Sequence, residues 1–322
     1  MIQYIIRRLI EGSVLVVFVL VSIFLLVRLT PGDPVYVLAG TSDITPEFYE
    51  ATRQQFGLDK PIYLSLALYI ASVLHGDLGF SYTYDKPVLH LILQRLPYTL
   101  QLMIPAIVLA SIVGILMGIA ASLRPHSVWD NLVTGISVIG YSIPVFWLAQ
   151  ILIVLFAFKF KIFPTGGIIS LRMEDLSGVE SIFNKVWHLV LPVTTLSTFY
   201  MAQIARQMRS NMIDILNSDF IVTARAKGLL ERRIIWVHAL RNAILPVVTL
   251  IGLLFGMVVA GSVVTETVFA IPGLGTLLYG GLANRDYPVI TGVIIFLSVF
   301  VVLANLLTDI VYTTVDPRIG LY

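Results

Sequence analysis

The sequence predicts an all-α membrane protein, and three observations carry that prediction. Hydrophobic residues make up 57% of the 322-residue chain and charged residues only 12%, with a mean hydropathy of +0.91. A soluble domain carries about 25% charged residues to solvate its surface, so this chain has about half the charge it would need in water. The charges also fall between six long charge-free stretches. Finally, basic residues concentrate in one short segment, the asymmetry that sets the topology of helical membrane proteins. A water-soluble enzyme is excluded. The net charge of +2 is too small to suggest a nucleic-acid partner, and the lack of cysteine removes disulfides, thiolate metal sites and cysteine nucleophiles.

A helix crosses the ~30 Å hydrocarbon layer with ~20 mostly apolar residues. Six stretches qualify: Gly12 to Val27, Leu96 to Leu123, Asn131 to Phe158, the shorter Leu189 to Ala205, Asn242 to Thr265, and Tyr287 to Thr308. The first follows Arg7 and Arg8 and so resembles a cleavable signal. It runs into Arg28 and Leu29 with no small-x-small cleavage site, which favours a retained anchor.

Orientation follows from the short loops. Residues 206–241 hold seven basic residues (Arg206, Arg209, Arg225, Lys227, Arg232, Arg233, Arg241) against three acidic ones (Asp214, Asp219, Glu231). That segment is expected inside, with Arg7, Arg8 and both termini. The long loop from Thr30 to Arg95, with four basic and seven acidic residues, is then expected outside.

Pro105, Pro144 and Pro192 fall inside spans, and each removes a backbone donor and can kink its helix. Neighbouring helices, hydroxyls or water make this tolerable in lipid, and the fourth span offers Thr194, Thr195, Ser197 and Thr198 near Pro192. Two readings fit these hydroxyls: ordinary helix packing, the commoner case, or a polar wall of a translocation path.

In the outer loop, Asp43 to Phe56 reads as an amphipathic helix opened by Thr45-Pro46-Glu47. Pro61 to Leu74 reads as a second helix, apolar enough to lie on the membrane face. Gly76-Asp77-Leu78-Gly79 then breaks the chain. A loop of this size serves as a docking surface or as a packing cap. In the basic segment, Ser218-Asp219 is expected to cap a short helix, Phe220 to Lys227, closed by Gly228. Glu231 to Ile244 reads as a second basic helix leading through Leu245-Pro246 into the fifth span. Composition alone describes this pair as a solvated surface or as a docking element.

The stretch from Asp219 to Leu229, Asp-Phe-Ile-Val-Thr-Ala-Arg-Ala-Lys-Gly-Leu, resembles the cytoplasmic coupling loop of binding-protein-dependent ABC importer permeases. It is most similar to the dipeptide/oligopeptide/nickel branch. Further matches occur in one order along the chain: Leu29-Thr30-Pro31-Gly32-Asp33-Pro34, His75-Gly76-Asp77-Leu78-Gly79, His238-Ala239-Leu240-Arg241-Asn242, Val268 to Gly275, and Asp316-Pro317-Arg318. The outer loop and the Thr-Pro-Gly-Asp-Pro run resemble the first of two paired permeases. Against the broad importer pattern, Val222 and Thr223 replace its Glu-Ala, only Ala224 and Gly228 match, and Pro246 comes five residues late. The peptide branch shares that longer form. A glutamate-based contact with the ATPase is not carried over.

The resemblance implies a type I importer permease fold of six transmembrane helices, with a large extracytoplasmic loop after the first and a coupling helix between the fourth and fifth. Residues 1–29 would be the anchor, 30–95 the outer loop, and 96–322 the core permease domain with its coupling loop at 206–246. Implied partners are a second homologous permease, two ABC ATPases that bind ATP and Mg, and an extracytoplasmic binding protein. The implied place is the cell membrane, and the implied cargo is peptide, with nickel, glutathione or oligosaccharide as alternatives. Coupling would fall to Asp219, Phe220, Thr223, Ala224, Arg225, Ala226, Lys227 and Gly228. The small residues among them suit close approach, and Arg225 and Lys227 suit an acidic rim.

No catalytic site, cofactor or metal site is assigned to the chain itself. It has no phosphate-binding Gly-x-x-x-x-Gly-Lys-Ser/Thr loop, and His75, His90, His126, His188 and His238 show no ligand spacing. Path candidates are Thr194, Thr195, Ser197, Glu266 near the outer end of the fifth span, and Asn305 near the inner end of the sixth. Asp309 lies beside Asn305, and Arg28 is expected to snorkel outward. By depth, the two acids read first as helix-end contacts. A secondary transporter would call for related halves, and no repeat is seen. A membrane enzyme would call for His/Asp/Glu clusters in the spans, and none appears.

Overall fold

The structure, a computed structural model, describes residues 2–29, 35, 45–55, 60–81, 83–169 and 178–315. Thr30 to Pro34, Asp43, Phe56 and Asp316 to Arg318, which carry parts of the sequence expectations, lie outside that set. Apart from loops and one hairpin of two two-residue strands the described chain is helical, and it divides into two compact units.

The first unit holds residues 1–99 and 272–303. Its long apolar helix α1 (Ile2–Leu29) contains the first expected span. Helix α2 (Pro46–Gln55) is the described part of the expected amphipathic helix. Helix α3 (Ile62–Leu74) begins after Pro61 as expected, since proline suits the first turn of a helix. Phe24 of α1 meets Tyr69 of α3 with ring centroids 5.7 Å apart. Strands β1 (Phe80–Ser81) and β2 (Lys86–Pro87) pair antiparallel, Phe80 opposite Pro87.

The core of this unit lies among the start of α4 (Val88–Ser122), α11 (Leu274–Asn284) and the start of α12 (Tyr287–Val315). Val88, Ile92, Leu274, Leu277, Val289 and Val293 pack there with little or no exposure. Buried Thr99 accepts the Leu274 N–H at 2.8 Å, satisfying an orphan donor at the start of α11. Buried Asp286 caps α12 by accepting the Val289 N–H at 3.2 Å, and Ser81 donates to its other oxygen at 2.5 Å. The hairpin is thereby tied to the α11–α12 corner.

The second unit holds residues 100–271 and 304–322. Helix α4 runs on into it through Pro105 without ending. Gly114 and Gly118 of α4 lie against α7 (Val179–Leu216). A Cβ on Gly118 would sit 2.6 Å from Met208 Cβ and 2.7 Å from the Ala205 carbonyl oxygen, so only glycine permits this approach. Two glycines four apart on one helix face are a recurrent device for close packing in membranes.

The third expected span is not one helix. It divides into α5 (Val128–Ser142) and α6 (Val145–Lys159), bent by 103° at Ile143 and Pro144. Proline disfavours helical backbone in the residue before it, and Ile143 is extended at ψ 125. The second half of α6, Ile153–Lys159, is wound as a π-helix. The fourth expected span is embedded in α7, which runs 38 residues through Pro192. The fifth, expected from Asn242, lies mostly in α10 (Leu245–Val268), its first three residues falling before a 48° bend, and the sixth agrees residue for residue with the apolar part of α12, Tyr287–Thr308. Among the described residues, three helices are long and apolar enough to cross a membrane, or up to five if each bent pair is one span. Six is therefore not reached by this criterion, because α7 carries too many polar groups.

Candidate functional site: the basic hairpin and the polar helix faces

Between α7 and α10 the chain forms a helical hairpin of α8 (Asp219–Ala226) and α9 (Glu231–Ala243). Ser218 occupies the cap position of α8, but its hydroxyl donates back to the Ile215 carbonyl at 2.5 Å and makes no cap bond to α8. The expected serine cap is thus replaced by a tie to the preceding helix. At the other end the expectation holds. Gly228 has φ +76, its N–H donates to the Arg225 carbonyl at 2.9 Å, and the Leu229 N–H donates to the Ala224 carbonyl at 3.3 Å. These two bonds make a Schellman motif, which needs the left-handed residue that glycine supplies without strain.

The hairpin is packed from within. Ile221 and Ala224 on α8, and Ile234 and Ala239 on α9, are buried. Arg225 pairs with Glu231 through Nε to Oε1 at 2.7 Å and Nη2 to Oε2 at 3.4 Å, bracing one helix on the other. Thr223 Oγ1 donates to the Asp219 carbonyl at 2.9 Å. Residues 234–239 of α9 form a π-helical turn.

The eight expected coupling residues are thus gathered on one element but not on one face. Asp219, Phe220, Thr223, Arg225, Ala226, Lys227 and Gly228 are exposed, whereas Ala224 faces inward at 8% exposure. A Cβ on Gly228 would meet nothing within 4 Å, so this glycine serves the turn and not a close contact within the chain. Val222, Leu230, Trp236 and Val237, like Phe220, are exposed apolar residues of the hairpin.

Side chains on α7 hold the hairpin's exit. Asn211 Nδ2 donates to the Ala243 carbonyl at 3.0 Å, and Gln207 Nε2 donates to Asn211 Oδ1 at 2.9 Å. Ala243 is the last residue before a 48° bend into α10, where Pro246 breaks the helical ladder. Two residues before Asn211, Arg209 of α7 grips Asp130 of α5 with Nε to Oδ1 at 2.5 Å and Nη2 to Oδ2 at 2.7 Å. Asp130 is 2% exposed and also accepts the His126 N–H at 2.8 Å. A bidentate arginine–carboxylate pair of this kind fixes both distance and angle.

The path candidates are dispersed over α7, α10 and α12. Thr194 is exposed, and Thr195 and Ser197 are buried. Thr194, Thr195 and Thr198 donate to the carbonyls of Val190, Leu191 and Thr194 within their own helix. Glu266 lies within α10, fully buried, and accepts from Ser262 at 3.1 Å. Asn305 is half-buried. Arg28 stacks near the Phe24 ring at 5.9 Å, and its Nη1 is buried.

Three features escaped the sequence reading: the Asp130–Arg209 clamp, the Asn211 tie, and the glycine pair on α4. The first joins residues 79 apart, which no local pattern reveals. The third was legible as Gly-x-x-x-Gly inside an apolar span.

Comparison with known proteins agrees along the whole length. Residues 110–321 match the family described as binding-protein-dependent transport system inner membrane component, and residues 1–103 match its N-terminal counterpart. The chain is 40% identical over 337 residues to the dipeptide transport system permease protein DppB of Escherichia coli K12, covering 99% of each. It is 40% identical over 324 residues to the oligopeptide transport system permease protein AppB of Bacillus subtilis, again covering 99% of each. The di/tripeptide transport system permease protein DppB of Pseudomonas aeruginosa is 39% identical over 336 residues. Among solved structures, a chain from inward facing conformations of the MetNI methionine ABC transporter aligns with a TM-score of 0.55 and 19% identity. That match covers 70% of this chain and 96% of the other, and it is a likeness of fold.

Proposed function

This chain belongs to the binding-protein-dependent transport system inner membrane component family, and from that premise we propose that it is a permease subunit of an ATP-driven importer of di- or oligopeptides. One observation carries the reading: identity of 40% to permeases of a dipeptide and an oligopeptide system, each over 99% of both chains. The chain has no ATPase site of its own, and ATP and Mg bind to two separate ATPase subunits. A second, homologous permease completes the path, and an extracytoplasmic binding protein delivers the peptide.

In this reading residues 1–29 are an anchor, 30–95 an outer loop and 96–322 the core, with both termini in the cytoplasm. Six spans result when α7 is added to the five apolar ones; at 38 residues it is ~57 Å long, ample for a crossing that continues into water.

The hairpin is the coupling element. Asp219, Phe220, Thr223, Ala226 and Lys227 present its outer face to an ATPase. Ala224 and Gly228 shape the element, and Arg225 stiffens it through Glu231. When the ATPases close, a stiff hairpin transmits their motion to α10 through the Pro246 bend and to α7 through Asn211. The helices then move as rigid bodies between inward-open and outward-open states. Thr194, Thr195, Ser197, Glu266 and Asn305 line or support the path in one of those states.

The test is to purify the cognate binding protein, identify its ligands by mass spectrometry, and measure ATP-dependent uptake of those ligands in proteoliposomes. Di- or oligopeptides are expected. Tight binding and uptake of nickel, glutathione or an oligosaccharide, with no affinity for peptide, would refute the substrate.

A further inference from the structure

A cavity of about 340 Å³ opens on the second unit, lined by Gln203, Arg206 and Gln207 of α7 and by Leu250 of α10. Its volume falls within the ~300–1,000 Å³ usual for small-ligand sites. Phe199, Gln203, Arg206 and Gln207 recur at helical spacing, so they share one side of α7. Phe199 stacks on Tyr141 of α5 at 5.1 Å and 17°, and the Arg206 guanidinium lies over the Tyr141 ring at 4.8 Å. The arginine is therefore oriented by aromatic contact and not by a counter-charge.

That distinction matters. Arg209, one turn on, is matched by Asp130, and Arg225 is matched by Glu231. Arg206 has no carboxylate partner among the described residues, and the Gln203 carboxamide has no hydrogen-bond partner there either. Gln203 is half-buried within the fourth expected span, and Arg206 is exposed just beyond its inner end; a polar group inside a span faces a partner or a watery cavity, because lipid leaves it unsatisfied. A guanidinium offers a planar fork of donors suited to a carboxylate, and a carboxamide offers one donor and one acceptor group, as a peptide bond does. Leu250 adds an apolar wall for a side chain.

We infer that Gln203, Arg206 and Gln207 form a contact site for a peptide in transit, Arg206 meeting its C-terminal carboxylate and the two glutamines its main chain. The inference rests on the peptide-importer reading and gives that path a definite wall on α7.

Because the chain contains no cysteine, Gln203→Cys introduces a unique thiol into this subunit. In the assembled complex of both permeases and both ATPases, its labelling by a charged methanethiosulfonate is read on this subunit after separation. Gln207→Cys is the second reporter should the first not assemble. Dialanine is expected to slow labelling, and dialanine amide to do so only at higher concentration. Adding Arg206→Gln should raise the dialanine concentration for half-protection about tenfold, the loss of one charge-assisted hydrogen bond, and should abolish the difference between acid and amide. Unchanged labelling in a complex that still imports dialanine overturns the site alone. Failure of the wild-type complex to import any peptide overturns both the site and the importer reading. Loss of the second permease on purification of Arg206→Gln assigns the guanidinium to a subunit contact and also overturns the proposal.

Discussion

Gly228 offers the sharpest perturbation of the hairpin, because its backbone and side-chain roles separate cleanly. Its φ of +76 lies in the left-handed region, and a Cβ there would touch nothing within 4 Å. Gly228→Ala therefore adds no clash inside the chain. Its whole cost is conformational, about 1–2 kcal/mol for an L-residue held left-handed. That is a factor of roughly 5–30 in the ratio of formed to unformed turn. The two bonds at stake are those from the Gly228 and Leu229 N–H groups to the carbonyls of Arg225 and Ala224. Asparagine tolerates this conformation better than alanine, and a β-branched residue tolerates it worst. The expected order of peptide taken up per ATP hydrolysed, in proteoliposomes with equal amounts of inserted protein, is Gly, Asn, Ala, Val. If Gly228→Val couples as well as wild type, the turn is not part of the lever. If Gly228→Asn is as poor as Gly228→Val, bulk against a partner decides the outcome, and the backbone reasoning fails.

Other contacts give further expectations. Hydrogen bonds to charged groups contribute about 1.5–3 kcal/mol, so Arg209→Met should lower the thermal stability of the purified protein by that order. Arg209→Lys should fall between, since it keeps the charge and loses the fork; equal melting temperatures for all three proteins would show that the Asp130 contact is not stabilising. The exposed Arg225–Glu231 pair should contribute no more than about 1 kcal/mol. Arg225→Ala should then melt close to wild type while weakening coupling, an effect that rising salt reproduces; a large loss of stability would contradict this.

What the sequence could and could not reveal has a physical pattern. The sixth span was legible to the residue because charge bounds it at Asp286 and Asp309 and nothing inside interrupts it. The helical hairpin was legible because a left-handed glycine ends α8 and a proline opens α10, both strong local signals. The broken third span was not. A proline in an apolar run signals a kink of no particular size, yet the effect of Pro144 on Ile143 accompanies a 103° turn. Ser218 shows the same limit on a smaller scale. Its identity suits a cap, but a local alternative, the Ile215 carbonyl three residues back in the preceding helix, takes the hydroxyl.

Within the hairpin, local reasoning placed the expected residues on one element but not the facing of each side chain. Ala224 and Ala226 are equally small, yet burial separates them: Ala224 follows Ile221 by three residues and shares its inward side. Glu266 looked like a helix-end acid because the charge-free run stops there, but α10 continues to Val268 and buries it. The Asp130–Arg209 and Asn211–Ala243 contacts join segments distant in sequence, and only the folded arrangement of α5, α7 and α9 brings them together.

The lever itself can be tested by proximity. A single cysteine at exposed Val222 or Ala226, carrying a short photoactivatable crosslinker in the assembled transporter, should capture an ATPase subunit, with a yield that changes between nucleotide-free and ATP-trapped complexes. Capture of lipid or of the binding protein alone, in a complex that still hydrolyses ATP and imports its substrate, would contradict the account.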